Sequence, residues 1–306
     1  MESRNVTTIT LLGFPDLRGF RITFFLFVLM IYITTICGNL LVIIVVSNSK
    51  SLHCPMYFFL AQLTTLDIMV TSDVVPYMLH VVLHNGSSML LSQCLIQFFF
   101  FSSFESSECL LLTVMSYDRY LAICHPLHYS SKMSPMLCSI FVVVAWLSGF
   151  IITSVQTINL SRLQFPRSNI IDHFFCELDP IIQLSTSNTL YIETVKIYLC
   201  VPVILLPFLM IVVSYGYIVH AILRMQSAVG QKAFTTCGSH LMVVFIFFGS
   251  LICIYLVPIN GNTINVRKLF SLFYTALTPL INPIIYCLRN ADIKNAFMTF
   301  RKRTIK

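Results

Sequence analysis

Residues 22–49 read ITFFLFVLMIYITTICGNLLVIIVVSNS, without one Asp, Glu, Lys or Arg. A bilayer core takes roughly 20 apolar helical residues to cross, so this run is long enough to span. The pattern recurs over 133–161, 197–223, 233–266 and 269–288. Two further apolar runs are interrupted by acids: 56–80 holds Asp67 and Asp73, and 94–122 holds Glu105, Glu108 and Asp118. Seven spans result, approximately 22–47, 56–80, 94–122, 136–158, 194–223, 233–257 and 269–288. Only 10% of the 306 residues are charged, against about 25% in a soluble domain, which excludes a soluble reading. No short alternating segments of lipid-facing strand appear, so helices must satisfy the backbone. The expected fold over 1–306 is one all-α domain, a seven-transmembrane helix bundle. Residues 1–21 form an extracellular tail, and 289–306 a cytoplasmic tail with a short amphipathic helix.

No apolar run with a small-residue cleavage site precedes residue 22, so the first span is expected to serve as signal anchor. Asn5-Val6-Thr7 is a glycosylation acceptor, which fits a lumenal amino terminus. Threading seven spans from outside puts Lys50, Arg119, Lys132, Arg224, Lys232, Arg289, Lys294, Arg301, Lys302, Arg303 and Lys306 in the cytoplasm, a moderate majority of the 19 basic residues. The cluster Arg301-Lys302-Arg303 reads as a solvated end with some attraction to anionic membrane lipid. Cys94 opens the third span and Cys176 lies in the longest loop, so both face the oxidising side and could form a disulfide. No zinc-ligand spacing occurs among the cysteines, and nothing calls for a nucleic-acid partner.

Charge inside a bilayer is costly, about 2.5–3.5 kcal/mol or more per group, and usually faces the bundle interior with a task. Glu105 and Glu108, three apart, share one helical face. Asp67 and Glu108, with Asn39 and Asn282, can line a polar interior that holds a cation or a shared proton, or can form a structural hydrogen-bonded network. Asp118-Arg119-Tyr120 closes the third span; its adjacent charges can form an ion pair that breaks in a switch, or an ordinary helix-end pair. Pro279 and Pro283 can kink the seventh span, with Asn282 compensating for lost helix bonds.

Several strings together resemble the olfactory receptors, a branch of the rhodopsin-like G-protein-coupled receptors. They are Gly38-Asn39, the run from Leu52 to Leu60 (LHCPMYFFL), Met115 to Cys124 (MSYDRYLAIC) continued by His125-Pro126-Leu127-His128-Tyr129, Ser214-Tyr215, Lys232 to His240 (KAFTTCGSH), and Pro279 to Tyr286 (PLINPIIY). The resemblance runs from the amino-terminal tail to residue 300 and implies a plasma-membrane receptor. Such a receptor binds a small, volatile organic odorant and activates a stimulatory olfactory-type G protein to raise cyclic AMP. It implies an activation switch of Asp118, Arg119, Tyr120, Tyr215, His240, Asn282, Pro283 and Tyr286. In that switch Arg119 leaves Asp118 for Tyr215, Tyr286 turns inward, and His240 sits at the contact of the third and sixth helices. It also implies an internal sodium site at Asn39, Asp67, Glu108 and Asn282, and no other cofactor. Two departures stand out. Pro166 and Thr186 occupy positions where the family usually has two further loop cysteines, leaving Cys94 to Cys176. Phe247-Phe248-Gly249 replaces the family's common Phe-Tyr-Gly.

The family's ligand pocket lies between the outer halves of helices three, five, six and seven. By helical spacing its lining here is Phe101, Ser102, Glu105 and Ser106, with Leu199, Val203, Phe248, Leu251, Ile252, Tyr255, Leu272 and Thr275; each of these can equally serve helix packing. Glu105 stands where the family more often has a small neutral residue. It is read either as an acceptor for a polar or amine-bearing ligand, or as a protonated acid bonded to Ser102 or Ser106. The alternative function is an ion- or proton-coupled transporter or channel using the intramembrane acids, although no internal repeat is visible. An enzyme is not expected: no glycine precedes an aspartate, as an intramembrane aspartyl protease would require.

Overall fold

The computed structural model describes residues 8–165, 169–186, 189–224, 227–256 and 263–304. Seven helices are long and apolar enough to cross a membrane. The first five are Arg21–Asn48, Pro55–His84, Leu91–Cys124, Pro135–Ser161 and Leu190–Leu223. The sixth is Ser227–Leu256. The seventh runs as Ile264–Leu272, a π turn at Phe273–Leu277, and Thr278–Arg289. An eighth, non-spanning helix, Ala291–Thr304, follows; it buries Ile293 and Ala296 and exposes Lys294 and Asn295, the amphipathic pattern expected of the tail.

Local chemistry sets the helix ends. Prolines 55, 126 and 135 sit in first turns, where a missing N–H is harmless. Ser134 caps the fourth helix, its Oγ accepting from Leu137 N at 3.4 Å. The Asn290 side chain starts the eighth helix by accepting from Asp292 N at 3.0 Å and Ile293 N at 3.3 Å. Asn85 ends the second helix in the left-handed region, φ 57°, a conformation asparagine tolerates better than most residues.

The third helix is the axis of the bundle, packed against the second, fourth, fifth and sixth. At its crossing with the fourth, a Cβ on Gly149 would strike Ser107 Oγ and lie 2.5 Å from the Ser103 carbonyl oxygen. Small residues let membrane helices approach this closely where no hydrophobic force draws them together. Outward faces are apolar, as lipid requires: Leu147, Ile151, Leu206, Met210 and Phe245 are all exposed.

The sequence pattern announces no sheet, yet a small one covers the end of the bundle at which the first helix begins. Strand β1, Thr8–Leu11, pairs antiparallel with β2, Ser87–Leu90, and parallel with β3, Ile170–Ile171. Beneath it the Cys94–Cys176 disulfide joins the third helix to the loop, and the Cys176 amide donates to Gln97 Oε1 at 3.0 Å.

The seventh helix begins at Ile264, five residues before the charge-free run that marks it in the sequence. Its two cations are accommodated by partners. Lys268 is 1% exposed and donates to Gly13 O at 2.7 Å and to Asp172 at 2.5 Å, while Arg267 Nη2 lies 3.2 Å from Asp179.

Candidate functional site

Toward the sheet-covered end of the bundle, the third, fourth, fifth, sixth and seventh helices enclose a cavity of about 60 Å³, roofed by the loop residues Glu177, Leu178 and Asp179. Seven expected positions line it: Phe101, Ser102, Glu105, Ser106, Leu199, Val203 and Leu251. Others do not. Phe248 is fully buried against Phe208 and Phe247, and Ile252, Leu272 and Thr275 are absent from the lining. The side chain of Tyr255 falls outside the described residues. The π turn explains the seventh-helix misplacement: its wider winding breaks the 3.6-residue register. Thr275 therefore bonds back to Ser271 O at 2.7 Å, and Tyr274 faces the cavity instead. Cys109, Ile152, Gln156, Cys200, Ile204 and Ile254 complete the lining. Gln156 Nε2 donates to Cys200 Sγ at 3.0 Å across the fourth and fifth helices.

Glu105, Ser102 and Ser106 line the cavity together, with no hydrogen bond between the carboxyl and either hydroxyl. Glu177 accepts long hydrogen bonds from Ser271 Oγ and Tyr274 Oη, both 3.4 Å, and lies 3.5 Å from His173 Nε2. Burial raises the Glu177 carboxyl to about 7. Burial first, then the positive charges of Lys268 and Arg267, lower His173 to about 3.

Midway down the bundle, Asn282 Nδ2 donates to both oxygens of Asp67, at 3.0 and 3.1 Å. Asn39 does not join them directly; its Nδ2 donates to Thr35 O and Pro279 O, each at 3.0 Å, tying the first helix to the seventh. Glu108 Oε1, Asn39 Oδ1, Asn282 Oδ1 and Tyr286 Oη are buried without hydrogen-bond partners. A concentration of oxygen acceptors with few donors suits a hard cation or a shared proton. Among the described residues no group of three or more His, Cys, Asp or Glu could hold a metal.

At the opposite end of the bundle, Arg119 pairs with Asp118, and Tyr129 of the short helix Pro126–Lys132 donates to the other Asp118 oxygen at 2.7 Å. Tyr215 Oη and His240 Nδ1 are 2.7 Å apart, joining the fifth helix to the sixth. Arg119, Ser239, His240 and Tyr286 surround a gap of only about 20 Å³. Tyr120 stands apart, bonded to His125 at 3.0 Å and edge-on to Tyr217.

The sequence profile of the olfactory receptor family matches residues 27–302. Olfactory receptor 11L1 of Homo sapiens is 42% identical over 99% of this chain and 95% of its own length. This chain belongs to the olfactory receptor family. Human olfactory receptor 5A1 is 42% identical over 99% of the chain and 96% of its own length, and human olfactory receptor 13A1 43% over 95% and 89%.

In this olfactory receptor Asp118, Arg119, Tyr215 and His240, expected to act as a switch, fall in two separate bonded sets, Asp118-Arg119-Tyr129 and Tyr215-His240. Tyr129 lay within a quoted family string, but nothing in its spacing shows that the loop helix returns it to Asp118. Glu177 was hidden for a similar reason: a loop carboxylate reads as solvated until the disulfide beside it draws the loop into the bundle. Asn5 lies outside the described residues.

Proposed function

We propose that this receptor takes a small organic odorant into the cavity beneath Glu177 and passes the event to a heterotrimeric G protein of the stimulatory olfactory type, raising cyclic AMP. It acts in the plasma membrane with its amino terminus outside and its carboxyl terminus in the cytoplasm. The observation that carries this reading is the closed cytoplasmic end, where Asp118 and Tyr129 hold Arg119 while Tyr215 engages His240. A ligand that favours an open arrangement shifts the population toward it by its difference in affinity for the two states. Arg119 then exchanges Asp118 for Tyr215 and the G protein. Glu105 supplies the polar contact of the pocket, accepting from a polar or amine-bearing ligand. Asp67, Glu108 and Asn282 hold a sodium ion, with Asn39 contributing its unpartnered Oδ1.

Expression with the stimulatory olfactory G protein, against a panel of amines and neutral volatiles, tests the reading. A ligand-dependent rise in cyclic AMP that Arg119→Ala removes is the expected result. Current or flux without any G protein would replace this reading by a transporter.

A further inference from the structure

Carboxyl groups gather about the roof of the cavity: Glu177 and Asp179 from the loop and Glu105 from the third helix line it. Among the described residues three cations pair with acids of the loop, two of them with the same one. Lys268 lies 2.5 Å from Asp172, whereas Lys196 and Arg267 both bind Asp179, at 2.5 and 3.2 Å. His173 adds no charge at neutral pH, because burial and the flanking cations hold it near 3. Glu177 receives only long hydrogen bonds from Ser271 and Tyr274, and feels Arg267 as a neighbouring charge. Glu105 has no hydrogen-bond partner among the described residues. Glu105 and Glu177 both line the one cavity. Across from them the wall is apolar, formed by Leu199, Val203, Ile204 and Leu251.

We propose that Glu105 and Glu177 are the two jaws of a single ammonium clamp, and that the site selects a short primary alkylamine whose chain lies against the fifth and sixth helices. This inference rests on the reading of the cavity as the ligand site. A primary ammonium offers three N–H donors and can serve two carboxylates at once. A quaternary ammonium has the charge without donors, and an alcohol the donor without charge. Size points the same way: a cavity of only about 60 Å³ suits a short chain rather than a long one. Because the Glu177 carboxyl sits near 7, an arriving ammonium can hold it ionised.

The test uses the full-length receptor in nanodiscs, read by ligand-induced thermal shift, with n-butylamine, 1-butanol and butyltrimethylammonium as probes. Butylamine is expected to stabilise at concentrations at least about tenfold below those of the other two. Glu105→Gln and Glu177→Gln are each expected to weaken butylamine by about 30-fold or more, the effect of removing one partner of a buried charge pair, and 1-butanol by far less. Glu177→Asp keeps the charge and should lose less than Glu177→Gln. Equal potency of all three probes on the wild type overturns the proposal even if no variant folds. So does a folded Glu177→Gln whose butylamine midpoint stays within threefold of wild type. Butylamine binding without a cyclic AMP response leaves the clamp standing and overturns the G-protein reading. A cyclic AMP response to neutral volatiles without amine binding does the reverse.

Discussion

Asp118 is fully buried and receives two donors of different origin, the Arg119 guanidinium on its own helix and the Tyr129 hydroxyl from the loop helix. A hydrogen bond to a charged group contributes about 1.5–3 kcal/mol. Removing it from the closed state alone therefore shifts the closed-to-open balance by roughly tenfold or more. Tyr129→Phe should raise ligand-free cyclic AMP by that order, and Asp118→Asn by more, since it also weakens the hold on Arg119. Unchanged basal signalling in both, at equal surface expression, would show that Arg119 is not restrained there. A second residue-scale expectation concerns pH. The Glu177 carboxyl is raised from 4.5 to about 7 by burial, so between those values the folded state binds the extra proton and stability falls as pH rises. His173 is lowered from 6.5 to about 3, so between those values the unfolded state binds the extra proton and stability grows as pH rises. The two slopes, each up to about 1.4 kcal/mol per pH unit, oppose one another from about 4.5 to 6.5. Thermal stability should be nearly flat there in the wild type, rise with pH in Glu177→Gln, and fall with pH in His173→Phe.

At the scale of elements, the closest approach is that of the third and fourth helices at Gly149. A methyl group there meets a backbone carbonyl, at Ser103, as well as the Ser107 hydroxyl. Gly149→Ala should therefore lower stability by about 1–3 kcal/mol through overpacking. The double variant Gly149→Ala/Ser107→Gly should recover little of it, because the carbonyl cannot retreat without moving the helix; full recovery in a melting measurement would place the conflict at the hydroxyl alone. The membrane-spanning helices were legible because lipid imposes a one-dimensional rule, a run of about 20 apolar residues. Their ends were not, because Arg267 and Lys268 enter the seventh helix only with acids from a distant loop as partners. The sheet β2-β1-β3 escaped notice because its strands are at most four residues long and lie 78 or more residues apart in some pairings. In the cavity, helical spacing found the third- and fifth-helix walls. It failed on the seventh, where a π turn exchanges Thr275 for Tyr274, and on the roof, which the disulfide rather than any periodicity brings inward.

For the whole molecule, the question is what joins the cavity beneath Glu177 to the gap beside Arg119. Between them lies the oxygen-rich midsection, in which the second helix supplies Asp67, the third Glu108 and the seventh Asn282. Carboxylates that share a dry interior repel unless a cation or proton is shared. The sodium ion proposed above, held by groups on three helices, would bind the closed packing better than any arrangement in which those helices have moved apart. Its occupancy must then favour the closed state, by RT ln(1 + [Na⁺]/Kd), or roughly tenfold at ten times Kd. Replacing NaCl by KCl at constant ionic strength, with the receptor in nanodiscs and nucleotide exchange on the purified G protein as readout, should raise ligand-free exchange about two- to tenfold. In Asp67→Asn and in Glu108→Gln that response should vanish, since each variant removes one of the two charges that bring the ion in. If wild type and both variants respond alike to the exchange of salts, the midsection is a protonated network, and the two ends of the receptor are coupled by helix packing alone.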